Sequence, residues 1–301
     1  WIVVANASAL DFETTPVFQL TVQVADDGQP SLSDAAVVTI QLRDLLEAAP
    51  GTVTLFAGNL HVAATSAADT IYVWSGSTDE QVFVWMNGVF HGARTLAAGG
   101  RVIVFGGDGN DQVFATDARV PMTIHGEAGH DLITGGSAAD VLIGGDGVDR
   151  ISGQGGDDLI RGGLGNDFLY GNAGRDFILG EAGDDVIDGH DGRDLIIGGL
   201  GRDYLQGGAD EDLLIGGTTQ YDLNELALAA IRSAWSASSS FQGRANALAA
   251  GIGGGVRLAW GHGVLDDGSP DTICGGAGAD WIFLGLLDPP YPDADDRLER
   301  I

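Results

Sequence analysis

From Gly126 to Ile215 the chain repeats itself every nine residues, ten times without a break: GEAGHDLIT, GGSAADVLI, GGDGVDRIS, GQGGDDLIR, GGLGNDFLY, GNAGRDFIL, GEAGDDVID, GHDGRDLII, GGLGRDYLQ and GGADEDLLI. Glycine holds position 1, aspartate position 6, and isoleucine or leucine position 8 in all ten. A period this strict restricts the fold to a solenoid, because a nine-residue unit cannot bury its own apolar residue and must stack on copies of itself. Glycine permits positive φ in a tight turn, and the three residues after the aspartate are expected to form a short strand in which only position 8 points inward.

Two nonapeptides then make one coil, and the aspartate of one block stacks on the aspartate two blocks later, Asp131 on Asp149 and Asp140 on Asp158. With coils about 4.8 Å apart, each pair of like charges costs about 1 kcal/mol in water and several times more at lower dielectric. A cation held between the carboxylates removes that cost. Glycine-rich turns also expose backbone carbonyls, and an all-oxygen ligand set suits calcium, which takes six to eight oxygens in flexible geometry. Zinc and copper favour histidine or cysteine, and magnesium favours small octahedral sites.

Composition agrees with a cation partner. The formal net charge is −29, from 43 acidic and 14 basic residues, and every basic residue is arginine. Such an excess argues against nucleic acid and against direct membrane insertion, since phosphates need basic residues to neutralise them. A hydrophobic content of 44% is too high for a disordered acidic tail. The single cysteine, Cys274, excludes an intrachain disulfide. The chain starts Trp1-Ile2-Val3-Val4, without a basic signal-peptide region, and reads as the C-terminal part of something larger.

The blocks resemble the hemolysin-type, or RTX, calcium-binding repeat, GGxGxDxUx. The resemblance implies an all-β fold, a right-handed parallel β-roll holding several Ca2+ ions. Its metal ligands would fall on Asp131, Asp140, Asp149, Asp158, Asp167, Asp176, Asp185, Asp194, Asp203 and Asp212. Carbonyls of Gly144, Gly147, Gly162, Gly165, Gly180, Gly183, Gly198 and Gly201 would complete the sites. Ala138 and Asp210 stand where the pattern has its position-4 glycine, which puts the sites on those two turns in doubt. Outlying copies, GGDGNDQVF at 106–114 and GGAGADWIF at 275–283, add Asp111 and Asp280, and Asp69 is a further candidate.

Four segments are expected. Residues 51–125 read as a β-rich ramp into the solenoid, with strands at Thr70–Trp74, Gln81–Trp85 and Arg101–Phe105 from their β-branched and aromatic residues. Residues 126–215 are the roll. Residues 216–301 read as a C-terminal cap, with a capping box at Asp222–Glu225, an amphipathic helix after it, a second near Phe241–Ala250, and a degraded repeat, DDGSPDTIC. Residues 1–50 resemble the C-terminal half of a cadherin-like domain, a partial β-sandwich, through Leu10-Asp11-Phe12-Glu13, LTVQVADDGQPSLS and Asp44-Leu45-Leu46-Glu47-Ala48-Ala49-Pro50. That resemblance implies further metal ligands at Glu13, Asp26, Asp44 and Glu47.

The remaining chemistry-bearing residues read more plainly. His125, His130 and His190 are expected in solvent-facing turns, Cys274 as a passive thiol, and Asp157, Asp184 and Asp191 as solvated charge beside the ligands. No nucleophile elbow, His-Glu-x-x-His or phosphate loop is present, so a non-catalytic chain is expected. The functional expectation is a calcium-stabilised, secreted or cell-surface bacterial module that folds after type I secretion. It would serve structure and adhesion toward other surface proteins or extracellular matrix. The alternative is the non-catalytic auxiliary and secretion module of a secreted hydrolase or polysaccharide-modifying enzyme.

Overall fold

A computed structural model describes residues 17–25, 33–41, 50–222, 224–252, 256–260, 263–285, 287–288, 290–291 and 296–300. The chain divides into two units, Trp1–Glu47 and Ala48–Ile301. In the first, Val17–Ala25 pairs antiparallel with Ser33–Gln41, Val17 opposite Gln41 and Ala25 opposite Ser33. The cadherin-type candidates Glu13, Asp26, Asp44 and Glu47 lie outside the described residues.

The second unit is a parallel β-roll. Among the described residues the strands of the roll fall into two sheets of eleven, successive strands of the array alternating between them, and Thr218–Thr219, Gly263–Leu265 and Ala259–Trp260 form a separate three-stranded sheet. Each strand pairs in parallel with the strand one coil earlier, as Val141 does with Leu159 and Arg150 with Phe168. Position 8 fills the space between the sheets: Leu142, Ile151, Ile160, Leu169, Ile178, Ile187, Ile196, Leu205 and Leu214 are completely buried. One inward residue per nonapeptide makes a core one side chain thick, so the sheets hold together only as a stack.

The strands are longer than the repeat pattern suggests. Val141–Asp146 is typical, running six residues rather than three. Pairing passes over position 1 and resumes at positions 2 and 3, where Gly145 lies opposite Gly163 and Asp146 opposite Leu164. The turn glycines therefore also extend the ladder.

At the N-terminal end the strand direction reverses. Thr52–Phe56 adds antiparallel to Asn59–Ala63 on one sheet, while Gln81–Met86 and Val89–Thr95 add antiparallel beyond Thr70–Ser75 on the other. The expected strands at 70–74, 81–85 and 101–105 appear as Thr70–Ser75, Gln81–Met86 and Val102–Asp108.

Near the other end the chain leaves the coil after Ile215 and returns at Thr272, which takes up the register with Tyr204, as Trp281 does with Leu213. The excursion contains helix α1 (Glu225–Trp235) and helix α2 (Phe241–Ala250). The N-cap of α1 is Asn224, whose side chain accepts the Ala227 N–H at 3.1 Å. The expected capping residue, Asp222, instead accepts the Thr219 N–H at 2.9 Å and so closes the preceding turn.

The sequence suggested that the helices cover the end of the roll. They lie on the outward face of one sheet, where Phe177, Leu179, Leu195, Ile197, Leu213 and Ile215 are buried with Leu228, Ile231, Trp235 and Leu248. Position 8 alone points inward, as expected, and positions 7 and 9 on this stretch are apolar and buried because the helices cover them from outside. Arg244, 2% exposed, ties α2 to the roll through Glu211 at 3.0 Å and lies over the Trp235 ring. Pro290–Tyr291 and Arg297–Arg300 extend the two sheets past the last repeats.

Candidate metal centre

Each coil has two turns, so the position-6 aspartates form two columns. The first runs Asp69, Asp111, Asp131, Asp149, Asp167, Asp185, Asp203, Asp271 and Asp288. The second runs Asp140, Asp158, Asp176, Asp194, Asp212, Asp280 and Asp296. Within a column the backbone N–H of each aspartate donates to Oδ1 of the aspartate one coil further on, at 2.8 Å for both Asp131 to Asp149 and Asp158 to Asp176. The ten array aspartates, with Asp111 and Asp280, are all at most 3% exposed.

The second carboxylate oxygen is what sets these residues apart. Oδ2 of Asp111, Asp131, Asp149, Asp158, Asp167, Asp176, Asp185, Asp194, Asp203 and Asp212 is buried without a hydrogen-bond partner. A buried carboxylate oxygen with no donor is strongly unfavourable. Position 1 is glycine because this oxygen fills the space a side chain would need: a methyl group on Gly162 would fall on Asp167 Oδ2 and 2.7 Å from the Gly180 carbonyl oxygen. At position 4, Gly165 has a φ of 125°, and a methyl group there would fall on the Gly147 carbonyl. Each turn thus brings a carboxylate oxygen and backbone carbonyls of adjacent coils close together.

The predicted glycine ligands Gly144, Gly147, Gly162, Gly165, Gly180, Gly183, Gly198 and Gly201 all belong to turns beside the first column. The second column has the same arrangement, with Gly153 and Gly156, Gly171 and Gly174, and Gly189 and Gly192 in the corresponding places. Sequence reasoning left these six out, although positions 1 and 4 of the alternate blocks identify them. It also left out Asp271, Asp288 and Asp296, whose repeats are degraded or shortened.

Burial is the main electrostatic cost. It pushes Asp158, Asp194 and Asp203 up to about 8, Asp111 and Asp167 up to about 7, and Asp140, Asp149, Asp176 and Asp185 up to about 6. Asp212, beside Asp194, rises to about 10. The N–H from the neighbouring coil opposes the shift, and repulsion along the column adds to it. The sequence argument placed the cost in repulsion between carboxylates, whereas loss of solvent is the larger cause.

No three His, Cys, Asp or Glu side chains converge to hold a metal among the described residues. The turns supply one carboxylate per coil and take their other oxygens from the backbone. A set made only of carboxylate and carbonyl oxygen, with unsatisfied buried Oδ2 atoms, fits a hard cation of calcium's size.

Three aspartates depart from this pattern. Asp140 follows Ala138, which lacks the positive φ of a position-4 glycine, and its Oδ2 accepts the Gly136 N–H at 2.7 Å. Asp69 Oδ2 accepts the Thr65 N–H at 2.6 Å and the Thr65 hydroxyl at 2.8 Å, while Asn87 Nδ2 donates to Oδ1. Asp288 Oδ2 accepts the Gly285 N–H. The substitution at Asp210 has no such effect, because that residue adopts a φ of 75° and Asp212 keeps its open oxygen.

The neighbouring polar residues have other partners. Asp157 pairs with Arg175 at 2.7 Å and Asp184 with Arg202 at 3.3 Å, so these are ion pairs across coils, and Asp191 is exposed. His125 is not in a turn: it lies in the strand Met122–Ala128, stacked on Phe105, and burial pushes its pKa down. His130 Nδ1 accepts the Val148 N–H at 2.7 Å, and His190 stacks on Tyr170.

The family described as RTX calcium-binding nonapeptide repeat (4 copies) matches this chain at residues 97–117, 123–151, 134–169, 152–187, 161–196, 170–205, 188–218 and 266–286. These matches cover the coils that carry the two aspartate columns from Asp111 to Asp280. No curated protein matches the chain.

Proposed function

Because the repeats of this chain belong to the RTX calcium-binding nonapeptide family, we propose that the protein is a calcium-stabilised extracellular module, folded after secretion, with a structural and adhesive role. The observation that carries this reading is the row of buried Oδ2 atoms without donors. Bound calcium would supply positive charge to Asp111, Asp131, Asp149, Asp158, Asp167, Asp176, Asp185, Asp194, Asp203 and Asp212, with carbonyls of the turn glycines as further ligands. The chain's own part is to fix each carboxylate through the N–H of the preceding coil and to keep water out with the position-8 residues. Folding and metal binding then become one equilibrium.

That coupling suits a protein exported unfolded from a calcium-poor cytosol into a calcium-rich exterior. The absence of motifs for catalysis and the length of the paired solenoid favour a scaffold over an enzyme. No helix among the described residues is long and apolar enough to cross a membrane. Far-UV circular dichroism during a calcium titration from chelator, with magnesium as control, tests the reading. A cooperative rise of β signal with calcium alone is expected. Full β structure in chelator would refute metal-coupled folding.

A further inference from the structure

The outward face of the second sheet carries a cluster of six aromatic rings at its N-terminal end, on the strands that follow Asp69 and Asp111 and their antiparallel neighbours. Trp74 stacks on Phe83 at 5.5 Å, Tyr72 stacks on Phe114 at 5.1 Å, and Trp85 and Phe90 extend the two rows. Tyr72 is 40% exposed and Phe90 55% exposed. Between the rows is an open groove of about 300 Å³, lined by Tyr72, Val73, Trp74, Phe114, Thr116 and Asp117. Exposed aromatic surface of this kind marks a binding site more often than chance.

The chemistry of the groove selects its occupant. Asp117 is exposed and makes no ion pair among the described residues, because the nearby Arg119 is engaged by Asp79 at 2.7 Å and by the Gly76 carbonyl at 2.7 Å. Aromatic faces attract cations, tryptophan most strongly, and a carboxylate beside them supplies a counter-charge. The formal charge of −29 adds a field that concentrates cations around the whole molecule. We propose that this groove binds a small alkylated ammonium ion, held between the Trp74 ring and the Asp117 carboxylate.

Other occupants fit less well. A second copy of the chain has the same charge and would bury Asp117 without a counter-charge. A neutral sugar could use the Tyr72 and Thr116 hydroxyls and the Trp74 indole N–H, but it would leave the Asp117 carboxylate without a counter-charge.

Isothermal titration calorimetry on the full chain in saturating calcium tests the proposal, with tetramethylammonium and choline as probes and the uncharged tert-butyl isostere of choline as comparison. The ions should bind at least about fivefold more tightly than the isostere. Asp117→Asn should weaken the ions about three- to tenfold and Trp74→Leu about tenfold, while Phe168→Leu, elsewhere on the same face, should change nothing. Asp117 is exposed, so its variant decides the matter even if Trp74→Leu disturbs folding. Equal binding of ion and isostere, an unchanged Asp117→Asn variant, or binding of a neutral oligosaccharide without the ions would overturn the proposal. Phosphatidylcholine vesicles that bind where free choline does not would overturn it as well.

Discussion

Asp69 and Asp158 hold equivalent places in the two aspartate columns and are satisfied in opposite ways. Asp69 receives donors from Thr65 and from Asn87, a residue of the antiparallel hairpin turn that starts the roll. Asp158 receives one N–H from Asp140, and its Oδ2 has no donor in the protein. The first coil therefore uses protein donors where the central coils need a cation. Strand reversal at the N-terminal end supplies the Asn87 donor, since an Asn-Gly turn can be placed beside the first aspartate, and Thr65 in the preceding loop supplies the others. A regular repeat has no residue free for that purpose. On the proposed reading, the end of the roll should fold unaided and its body should wait for metal.

The largest effect expected from breaking this contrast comes from the aspartates themselves. Asp167→Asn should raise the calcium midpoint of folding severalfold and cost about 3 kcal/mol or more in calcium, because it removes the charge from a turn shared by adjacent coils. Asp69→Asn should cost about 1 to 3 kcal/mol from its lost charged hydrogen bonds and leave the calcium midpoint unchanged. Denaturant melts at fixed calcium read the cost of each variant, and calcium titrations read the midpoint that separates them. Equal shifts in midpoint would remove the distinction between capped and open aspartates.

Acidity should act on the open aspartates next. Asp158, Asp194 and Asp203 sit near 8 in the folded chain without metal, and carboxylates of the unfolded chain titrate near their usual value of about 4. The folded state then binds more protons between those limits, so its metal-free stability is greatest at low pH and falls as pH rises through the folded pKa values. In chelator, circular dichroism should show β signal gained on going from pH 8 to about 5. The midpoint for calcium binding to the folded chain should rise over the same interval, because protons compete for the same oxygens. A midpoint indifferent to pH would contradict the assignment of the Oδ2 atoms.

A smaller effect should come from restoring the pattern at Ala138. Ala138→Gly allows positive φ at position 4, should release Asp140 Oδ2 from the Gly136 N–H, and is expected to add one calcium equivalent by native mass spectrometry. The smallest should be Arg175→Ala, which breaks an exposed ion pair with Asp157 and should cost about 0 to 1 kcal/mol.

Much of this was legible in the sequence, because a nine-residue period with fixed Gly, Asp and Ile or Leu leaves one way to stack. The period gave the core position, and Asp111 and Asp280 extended it beyond the array. The satisfaction of each Oδ2 was not legible. Nothing in the repeat pattern tells that Gly136 turns its N–H onto Asp140, or that Asp69 is met by Thr65, four residues before it, and by Asn87 from a separate hairpin. The place of the helices was partly written in Phe177, Leu179, Leu195 and Ile197, whose apolar character at positions 7 and 9 contrasts with Arg150 and Ser152. The fixed Gly, Asp and Ile or Leu positions mask that difference, because they are the same in both stretches. The Asn87-Gly88 pair was likewise a hairpin signal, and it locates the strand Val89–Thr95 that composition alone did not suggest.

Hydrogen exchange read by mass spectrometry, with and without calcium, tests the central contrast most directly. In calcium, amides throughout residues 50–215 should be protected. In chelator, protection should persist in the strands from Thr52 to Thr95 and be lost from Leu159 to Ile215. Equal protection of the two regions in chelator would show that the open carboxylates need no cation, and would contradict the account.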